Sequence, residues 1–431
     1  MKLFSTNNKQ NIVDLKTAVL KSLPIDKGLY MPTSIPRLDE QFIQNIEQYD
    51  FAELSFIVCA NLLGEYIPPN ALNDIIQKAI NFPAPVISVS ERISTVELFH
   101  GPSLAFKDFG ARFMAELISY FTQKSTKKIT ILVATSGDTG GAVAAGFYNT
   151  PGVEVVILYP SGRVSALQEK QLTTLGNNIH ACEIDGNFDD CQALVKQAFL
   201  DSDLNQRYSL SSANSINIAR LIPQSFYYFE AYKQIQDKSN LVFCVPSGNF
   251  GNLTAGLFAK RMGLPVKKFI AATNSNDVVP RYLISGEYSP IESISTISNA
   301  MDVGAPSNFS RILELYGKDW NAVKKDIVGY AYSDEKTRDA IVTVFKNYKY
   351  VCDPHGAIGF LASEEYLQND PSAHVVFLET AHPSKFLDVV EPTLNTSIHI
   401  PKRLAELAEK TKKAVDLSTA FSDFKAYLLS R

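Results

Sequence analysis

One lysine of this 431-residue chain stands in surroundings that would alter its chemistry. Lys107 lies in the run HGPSLAFKDFGARF, between Phe106 and a predicted helix that begins at Asp108. Burial among apolar side chains and a nearby helix N-terminus both disfavour an ammonium ion, so the amine is expected to be partly neutral. A neutral lysine amine can serve as a nucleophile or as a base. Ordinary hydration of a surface lysine is the alternative, and this run alone does not exclude it.

The loop SGNFGN, residues 247–252, is suited to hold a phosphate. It follows the apolar run LVFCV and precedes the helical pattern LTAGLFAK. Gly248 and Gly251 allow positive φ angles and a close approach of the backbone, and the first N–H groups of the helix point toward the loop. The spacing is that of neither a P-loop nor a dinucleotide-binding turn. An ordinary strand-to-helix turn is the alternative.

The loop TSGDTGG, residues 135–141, has the same position after an apolar run, with hydroxyl groups added. A helix N-terminus with hydroxyl donors suits a small carboxylate. The alternative is a capped helix without a ligand, with Asp138 or Thr139 as the N-cap. A third polar run, NSINIAR, can bring Asn214, Ser215 and Arg220 together on an anion. A capping serine with a surface arginine is the alternative there.

Alternating strands and helices must position these loops. Short, nearly all-apolar runs predict strands that are buried on both faces of a parallel sheet, at residues 129–134, 153–159, 179–184, 241–245, 269–273 and 374–380. Helical patterns between them indicate βαβ units and an open α/β sheet. Ligands of such sheets bind beyond the carboxyl ends of the strands, which is where the polar loops lie. The run YVCDPH predicts one more strand, leading into GAIG.

The two ends of the chain differ from this pattern. Helical spacing of apolar residues at 51–66 and 70–80 predicts a mainly helical N-terminal domain over residues 1–90, followed by a core over residues 91–431. The stretch from Pro401 predicts charged amphipathic helices on the surface.

The composition limits which partners the protein is expected to bind and in which compartment it is expected to work. The formal net charge is −4 and no long basic run is present, so nucleic acid and anionic membranes are not expected as partners. Five cysteines without a Cys-x-x-Cys pair, and six histidines without metal spacing, argue against a metal site and favour a reducing compartment. With no apolar secretory segment and no run of about 20 apolar residues, a soluble cytoplasmic protein is expected.

Two anion loops and a lysine in apolar surroundings together indicate a cofactor that carries a phosphate and bonds covalently to lysine. Pyridoxal 5'-phosphate (PLP) meets both requirements.

The motifs LFHGPSLAFKDFG, ATSGDTGGAVA, SGNFGN and ETAHPSKF, with the opening DKGLYMP, resemble those of threonine synthases, the longer bacterial and fungal type among PLP enzymes of the tryptophan synthase β fold. The resemblance covers essentially the whole chain. It implies an α/β protein of PLP fold type II, with two open α/β subdomains and an added mainly helical N-terminal domain. It also implies conversion of O-phospho-L-homoserine into L-threonine and phosphate, with residues 128–205 as a smaller mobile subdomain.

The resemblance further implies roles for individual residues. Lys107 would form the Schiff base with the cofactor, and Thr380 would contact the pyridine nitrogen. The cofactor phosphate would be cradled by Gly248, Asn249, Phe250, Gly251 and Asn252. The substrate carboxylate would be bound by Thr135, Ser136, Gly137 and Thr139, and the substrate phosphate by Asn214, Ser215 and Arg220. Asp138 would lie beside the cofactor's phenolic oxygen, where many relatives have Asn; it would be either protonated or turned away.

Rival functions stay open at this point. A threonine or serine dehydratase would use the same lysine without a phosphate clamp, and a phospholyase would stop after elimination. A catalytically silent ligand sensor would not need Lys107, and an NAD-binding protein would need the dinucleotide turn that is missing. The N-terminal domain could cover a surface that shorter relatives use to dimerise, so a monomer is expected.

Overall fold

The computed structural model describes residues 1–64, 66–124 and 127–431. Its strands are β1 Lys2–Ser5, β2 Asn8–Asp14, β3 Tyr30–Pro32, β4 Val86–Ser88, β5 Ile93–Glu97, β6 Ile129–Ala134, β7 Val153–Pro160, β8 Ile179–Ile184, β9 Ser209–Ser212, β10 Leu241–Pro246, β11 Lys268–Thr273, β12 Ile327–Ala331, β13 His374–Glu379 and β14 Ala414–Leu417. They form three sheets, and helices pack on the two larger ones.

The α-helices are α1 Leu15–Lys21, α2 Glu40–Gln44, α3 Phe51–Leu63, α4 Pro69–Ala79, α5 Lys107–Thr122, α6 Asp138–Phe147, α7 Ala166–Thr173, α8 Phe188–Leu200, α9 Ser202–Arg207, α10 Ile218–Leu221, α11 Phe226–Gln234, α12 Gly251–Arg261, α13 Val278–Ser285, α14 Phe309–Leu315, α15 Trp320–Asp326, α16 Asp334–Tyr348, α17 Pro354–Asn369, α18 Leu387–Leu394, α19 Lys402–Ala408 and α20 Phe421–Leu429. Short 3₁₀ helices include Ile222–Ser225, which joins α10 to α11, and Pro383–Phe386, which follows β13. In the described part of the chain, no helix is both long and apolar enough to cross a membrane.

The N-terminal segment contains the predicted helices and a sheet that the sequence did not predict. Helices α3 and α4 lie where the apolar spacing placed them, and α3 begins with a capping box between Asp50 and Glu53. A three-stranded antiparallel sheet of order β2-β1-β3 precedes them. Strand β2 has the sequence NKQNIVD and is mostly exposed, so it lacks the apolar run by which strands were predicted.

The larger parallel sheet positions most of the candidate residues. Its order is β12-β11-β10-β13-β5-β4, and every neighbouring pair is parallel except the edge pair β4 and β5. Strand β10 is buried along its whole length because helices cover both faces of the sheet. The carboxyl ends of β5, β10 and β13 therefore open onto one edge, where Lys107, the SGNFGN loop and Thr380 follow in the sequence.

The second parallel sheet has the order β14-β8-β7-β6-β9, and all its pairs are parallel. It reaches beyond residues 128–205, because β9 and the C-terminal β14 form its two edges. The prediction that the tail from Pro401 forms only surface helices was wrong: β14 pairs with β8, and α20 buries Phe424 and Leu428. A four-residue edge strand carries no apolar run of its own, so only pairing with β8 defines it.

All six apolar runs predicted as strands are strands, and their ends differ from the prediction by one residue at most. Strands β5, β9 and β12 were missed, since they are short and carry polar residues or glycine. The run YVCDPH contains no strand. Asp353 is instead the N-cap of α17, and its side chain accepts hydrogen bonds from the backbone N–H groups of His355 and Gly356. Asp is among the residues preferred at an N-cap, a signal that the search for apolar runs did not use.

Candidate functional site

Lys107 is the first residue of α5, and the segment before it is tied to the segment that follows β13. The Phe106 N–H donates to the Thr380 carbonyl at 2.8 Å, and Ala105 forms an antiparallel bridge with Ala381. On its other side, Arg220 Nη2 donates to the Lys107 carbonyl at 3.4 Å. These backbone contacts fix the start of α5 at the carboxyl edge of the larger sheet.

The Lys107 side chain is mostly but not fully buried, with 17% of its surface exposed. Its Nζ lies 5.5 Å from the centre of the Phe106 ring and 3.9 Å from Asp138 Oδ2. Burial lowers the pKa of Lys107; the Asp138 carboxylate opposes this shift, and the cations of Lys385 and Arg220 add to it. A neutral amine is therefore favoured at this position.

Asp138 forms an ion pair that the sequence did not predict. Lys385 Nζ lies 2.6 Å from Asp138 Oδ1, and Gln168 Nε2 donates to the same oxygen at 2.9 Å. Burial alone would raise the pKa of Asp138, but the cations of Lys385 and Lys107 outweigh it, and the pKa lies well below the usual value. The carboxylate is thus ionised and faces two lysines, which contradicts the protonated alternative; whether it turns away from the cofactor stays a prediction. The sequence signal for this ion pair was a second lysine near apolar residues, in the run HPSKF.

The loop of residues 135–139 leads from β6 into α6. Thr135 Oγ1 accepts hydrogen bonds from the N–H groups of Gly137 at 3.0 Å and Gly140 at 2.8 Å. The N-cap residue is Gly137, so neither Asp138 nor Thr139 caps the helix. Gly137 has a φ of 135°, a backbone conformation that residues with a Cβ rarely adopt. Because Thr135 is only an acceptor in these bonds, its own O–H group is left to donate to a ligand.

The SGNFGN loop holds its shape through close backbone packing. A Cβ at Gly248 would lie 2.7 Å from the Met301 Cα and 2.8 Å from the Ala300 carbonyl oxygen, so only glycine fits. Phe250 caps α12 in the left-handed conformation, with a φ of 59°. Asn252 Nδ2 donates to the Pro246 carbonyl at 2.9 Å, which closes the loop onto the end of β10.

Ser215 lies at the SGNFGN loop. Its hydroxyl oxygen accepts hydrogen bonds from Asn249 Nδ2 at 2.7 Å and from Asn308 Nδ2 at 3.2 Å. The sequence analysis did not identify Arg311, which supports Asn308 and Ser215. Its Nη1 donates to Asn308 Oδ1 at 2.6 Å and to the Ser215 carbonyl at 3.3 Å. No local pattern distinguishes Arg311 from a surface arginine, because its partners come from distant parts of the chain.

Arg220 and Asn214 are buried beside this group. Arg220 is 2% exposed, so the surface-arginine alternative was wrong. Its Nη1 donates to the Ala213 carbonyl and its Nη2 to that of Lys107. Burial lowers the pKa of Arg220 to about 10, although Asp108 opposes the shift. Arg220 Nε and Asn214 Oδ1 are buried polar atoms without a hydrogen-bond partner in the structure.

Thr380 follows β13 directly and is 6% exposed. The preceding residue, Glu379, accepts a hydrogen bond from the Asp353 N–H at 2.6 Å. Burial, reinforced by the Asp353 carboxylate, raises the pKa of Glu379 well above its usual value. This direction favours the uncharged carboxyl group beside Thr380.

These residues fit a phosphate-bearing aldehyde cofactor such as PLP. A buried lysine amine with a lowered pKa is available to a carbonyl carbon. A glycine-dependent loop at the N-terminus of the 11-residue helix α12 offers backbone N–H groups to a phosphate. Asn214 Oδ1, a buried polar atom without a hydrogen-bond partner, is a further polar group beside this site.

Comparisons with known proteins agree with this geometry. Residues 94–380 match the family model of pyridoxal-phosphate dependent enzymes, residues 2–80 that of the threonine synthase N terminus, and residues 356–428 that of the threonine synthase C-terminal region. A threonine synthase from Serratia marcescens is 46% identical over 432 residues, covering 100% of this chain and 99% of the relative.

Two solved structures have the same fold. The crystal structure of threonine synthase from Escherichia coli matches with a TM-score of 0.92 and 44% identity, and covers 100% of both chains. A structure of PLP-bound threonine synthase from Brucella melitensis matches with a TM-score of 0.92 and 34% identity, and covers 99% of this chain and 98% of that one. The predicted fold, PLP fold type II, is thereby confirmed.

Proposed function

Because the chain belongs to the threonine synthase family of PLP-dependent enzymes, we propose that it converts O-phospho-L-homoserine and water into L-threonine and inorganic phosphate. One observation carries this proposal. The Lys107 amine, whose pKa is lowered, lies with the SGNFGN loop at the carboxyl edge of the six-stranded sheet, and its Nζ is 3.9 Å from Asp138 Oδ2 in the loop that follows β6 of the five-stranded sheet. The reaction requires a base that removes and returns protons on adjacent carbons. It also requires separate binding sites for the carboxylate and the phosphate of the substrate.

The SGNFGN loop and Thr380 would hold the cofactor. Backbone N–H groups of residues 248–252 would bind its phosphate, and the Thr380 hydroxyl would bond to the pyridine nitrogen. When bound, PLP supplies an electron sink for proton removal from the amino acid. A hydroxyl partner, unlike a carboxylate, would leave the pyridine nitrogen largely unprotonated. That moderates charge at the α-carbon and suits a reaction that proceeds on to the β- and γ-carbons.

Lys107 moves the protons in this proposal. Once the substrate's amino group has displaced it, its Nζ accepts the α-proton as a general base. Removal of a β-proton then allows the C–O bond at the γ-carbon to break and phosphate to leave. The γ-carbon gains a proton and the β-carbon gains the hydroxyl of water. The net change is one water added and one phosphate released.

Two groups of residues anchor the ends of the substrate. Thr135, Ser136, Gly137 and Thr139 present hydroxyl and backbone N–H groups to the carboxylate at the start of α6. Asn214, Ser215 and Arg220 hold the phosphate that leaves. The support is that Arg220 is a buried cation, and that no carboxylate lies within ion-pair distance of it among residues 1–64, 66–124 and 127–431. A fixed cation stabilises the charge that develops on the leaving group.

The products decide the proposal. Purified, PLP-loaded protein is incubated with O-phospho-L-homoserine, and the amino acid, oxo acid and phosphate that form are quantified. We expect threonine and phosphate in equal amounts. Phosphate with 2-oxobutyrate would instead identify a phospholyase, and no phosphate would favour a dehydratase.

Two variants complete this experiment. Lys107→Ala should abolish turnover and the visible absorbance of the bound cofactor, because no other amine can replace its Nζ. Lys324→Ala removes an exposed lysine over the Trp320 ring and should keep both. A Lys107→Ala protein that is yellow and active would contradict the assignment.

We also propose that the smaller subdomain, residues 128–205 as predicted, closes over the substrate. Closure would exclude water before elimination and admit it afterwards. Structures with and without a phosphonate analogue of the substrate would test this, and an unchanged angle between the two parallel sheets would contradict it.

Finally, we propose that the protein is a cytoplasmic monomer that does not bind nucleic acid. The net charge of −4 and the long N-terminal segment support this. Size-exclusion chromatography with light scattering should give the 47.7 kDa mass of one chain, and a mass of twice that value would contradict it.

A further inference from the structure

We propose that Lys385 is a positioning residue for this reaction: its cation neutralises Asp138, and this leaves the Lys107 amine unprotonated and ready to bond to the cofactor. The inference rests on the proposed function, because it concerns the lysine that this function requires.

The contacts show that Asp138 is paired with Lys385 rather than with Lys107. Lys385 Nζ lies 2.6 Å from Asp138 Oδ1, whereas Lys107 Nζ lies 3.9 Å from Oδ2. Gln168 Nε2 donates to Oδ1 as well, at 2.9 Å. The Lys385 side chain is 0% exposed, and its Nζ also donates to the Ser103 carbonyl at 3.0 Å. Two fixed acceptors hold the ammonium group in this place.

The charges explain why this arrangement favours a neutral Lys107. One carboxylate between the fully buried Lys385 and the mostly buried Lys107 can compensate only one ammonium ion. A second ammonium would be an uncompensated charge in a poorly hydrated region, which is costly. Since Lys385 already holds the carboxylate at close range, an ammonium ion at Lys107 is the less compensated of the two and loses its proton more easily. The lowered pKa of Lys107, caused by burial with a contribution from Lys385, agrees with this.

Other charged groups face the pair from neighbouring elements. Arg220 on α10 disfavours a proton on Lys107, and Asp353 at the start of α17 favours one. Asp108 on α5 itself faces Lys385 and Arg112, and burial raises the pKa of Asp108 to about 6. Among the described residues, Asp138 carries the only carboxylate within 4 Å of the Lys107 amine. The Asp138 to Lys385 balance is therefore the closest electrostatic control on Lys107.

The pair also joins the two parallel sheets. Asp138 begins α6, which follows β6 of the five-stranded sheet, whereas Lys385 follows β13 of the six-stranded sheet. Contacts from Gln171 Nε2 to the Ser103 carbonyl, and from Ser165 Oγ to the Lys385 carbonyl, cross the same boundary. The protonation of Lys107 thus depends on how closely the two sheets approach each other.

The test measures cofactor capture by the apoprotein as a function of pH. In this step Lys107 Nζ bonds to the aldehyde carbon of PLP and the aldehyde oxygen leaves as water, which produces visible absorbance. Capture needs the neutral amine, so its rate rises with pH through the apparent pKa of Lys107. Lys385→Met leaves Asp138 with Lys107 as its only cation and should move the midpoint about one pH unit higher.

Three further variants test the direction in which the pH midpoint of cofactor capture shifts. Asp138→Asn removes the anion, leaves the Lys385 cation, and should move the midpoint about one pH unit lower. The double variant Asp138→Asn with Lys385→Met removes both charges and should return the midpoint close to that of the original protein. Lys425→Met, which removes a lysine paired with Asp201 and Asp203 on the surface, should leave it unchanged.

Each outcome separates this inference from the proposed function. Midpoints that do not shift, or that shift in the same direction in the two single variants, would overturn the inference while the proposed function stands. If Lys385→Met does not fold, Asp138→Asn, which preserves side-chain size, decides alone: a lower midpoint supports the inference and an unchanged one overturns it. An original protein that captures no PLP at any pH would contradict the proposed function itself.

Discussion

At the scale of single residues, Arg311 shows how a buried charge can shape a binding site without contacting it. Its side chain is fully buried, and no carboxylate within the described residues forms an ion pair with it. Burial lowers the pKa of Arg311 to about 9, so the guanidinium stays charged at neutral pH. Besides Asn308 and Ser215, it donates to the carbonyls of Tyr30 at 3.1 Å and Ile216 at 2.6 Å. The nearest place for a compensating anion is the SGNFGN loop, which Ser215 and Asn308 contact.

Replacing Arg311 should therefore weaken both the fold and the phosphate site. Arg311→Met leaves buried carbonyl groups without donors, and the free energy of unfolding should fall by about 3 kcal/mol. Loss of the cation should also weaken PLP binding by about tenfold or more. Denaturant unfolding and a PLP titration measure the two effects.

Two further variants test the cause. Arg311→Lys keeps the charge but loses the planar group of donors, so it should fold less stably yet lose less PLP affinity. Arg261→Met, at an exposed arginine over the Tyr316 ring, is the matched control and should change neither by much. Equal PLP affinity in Arg311→Met and the original protein would refute the electrostatic role.

At the scale of elements, the binding loops depend on how closely α12 and its preceding loop approach residues 300–301. The predicted close backbone approach is found at Gly248, where a Cβ would meet backbone atoms of Ala300 and Met301, but neither Gly248 nor Gly251 has a positive φ angle. At Gly251 the nearest atoms to a Cβ, Asn308 Nδ2 and Ser215 Cβ, lie at 3.5 Å, which is an ordinary contact. Close packing against the backbone therefore requires glycine at position 248, whereas the packing around Gly251 leaves room for a Cβ.

This difference predicts different effects of two alanine substitutions. Gly248→Ala forces the loop away from the 3₁₀ turn at Met301, so the free energy of unfolding should fall by about 1–3 kcal/mol and PLP affinity should drop. Gly251→Ala, with room for its methyl group, should have nearly the original stability. Thermal unfolding of the two apoproteins compares them directly, and equal losses would contradict the packing argument.

At the scale of the whole molecule, the chain's two ends complete its sheets and its core. The N-terminal strands and helices share one apolar cluster with α5, α11 and α12. The C-terminal tail adds β14 to the five-stranded sheet, and α20 packs on α8 with Phe424 fully buried. One edge of the sheet in the proposed mobile subdomain is thereby formed by residues more than two hundred positions away in the sequence.

Removing the buried ring of α20 should destabilise this sheet. Phe424→Ala leaves a cavity against α8, and the free energy of unfolding should fall by about 3–5 kcal/mol. Phe421→Ala, at a partly exposed position of the same helix, should cost much less. Denaturant unfolding of both variants checks this. Losses of similar size would mean that α20 is not part of the core.

The sequence by itself determined what depends on neighbouring residues. Apolar runs placed six strands of the two parallel sheets, and polar loops after two of them predicted the anion sites. Lys107 was identified because its immediate neighbours are apolar and a helix begins beside it. The family resemblance added the reaction and the assignment of residues such as Thr380 and Arg220.

Only the tertiary structure decided which distant groups meet. The Lys385 partner of Asp138, the Arg311 support of Ser215 and the pairing of β14 with β8 all join segments that are far apart in the chain. No local pattern encodes such contacts, because each residue alone is compatible with a hydrated surface or an edge strand. The charge state of Asp138 follows from the same cause: an isolated buried carboxyl would be protonated, and the nearby ammonium of Lys385 keeps it ionised.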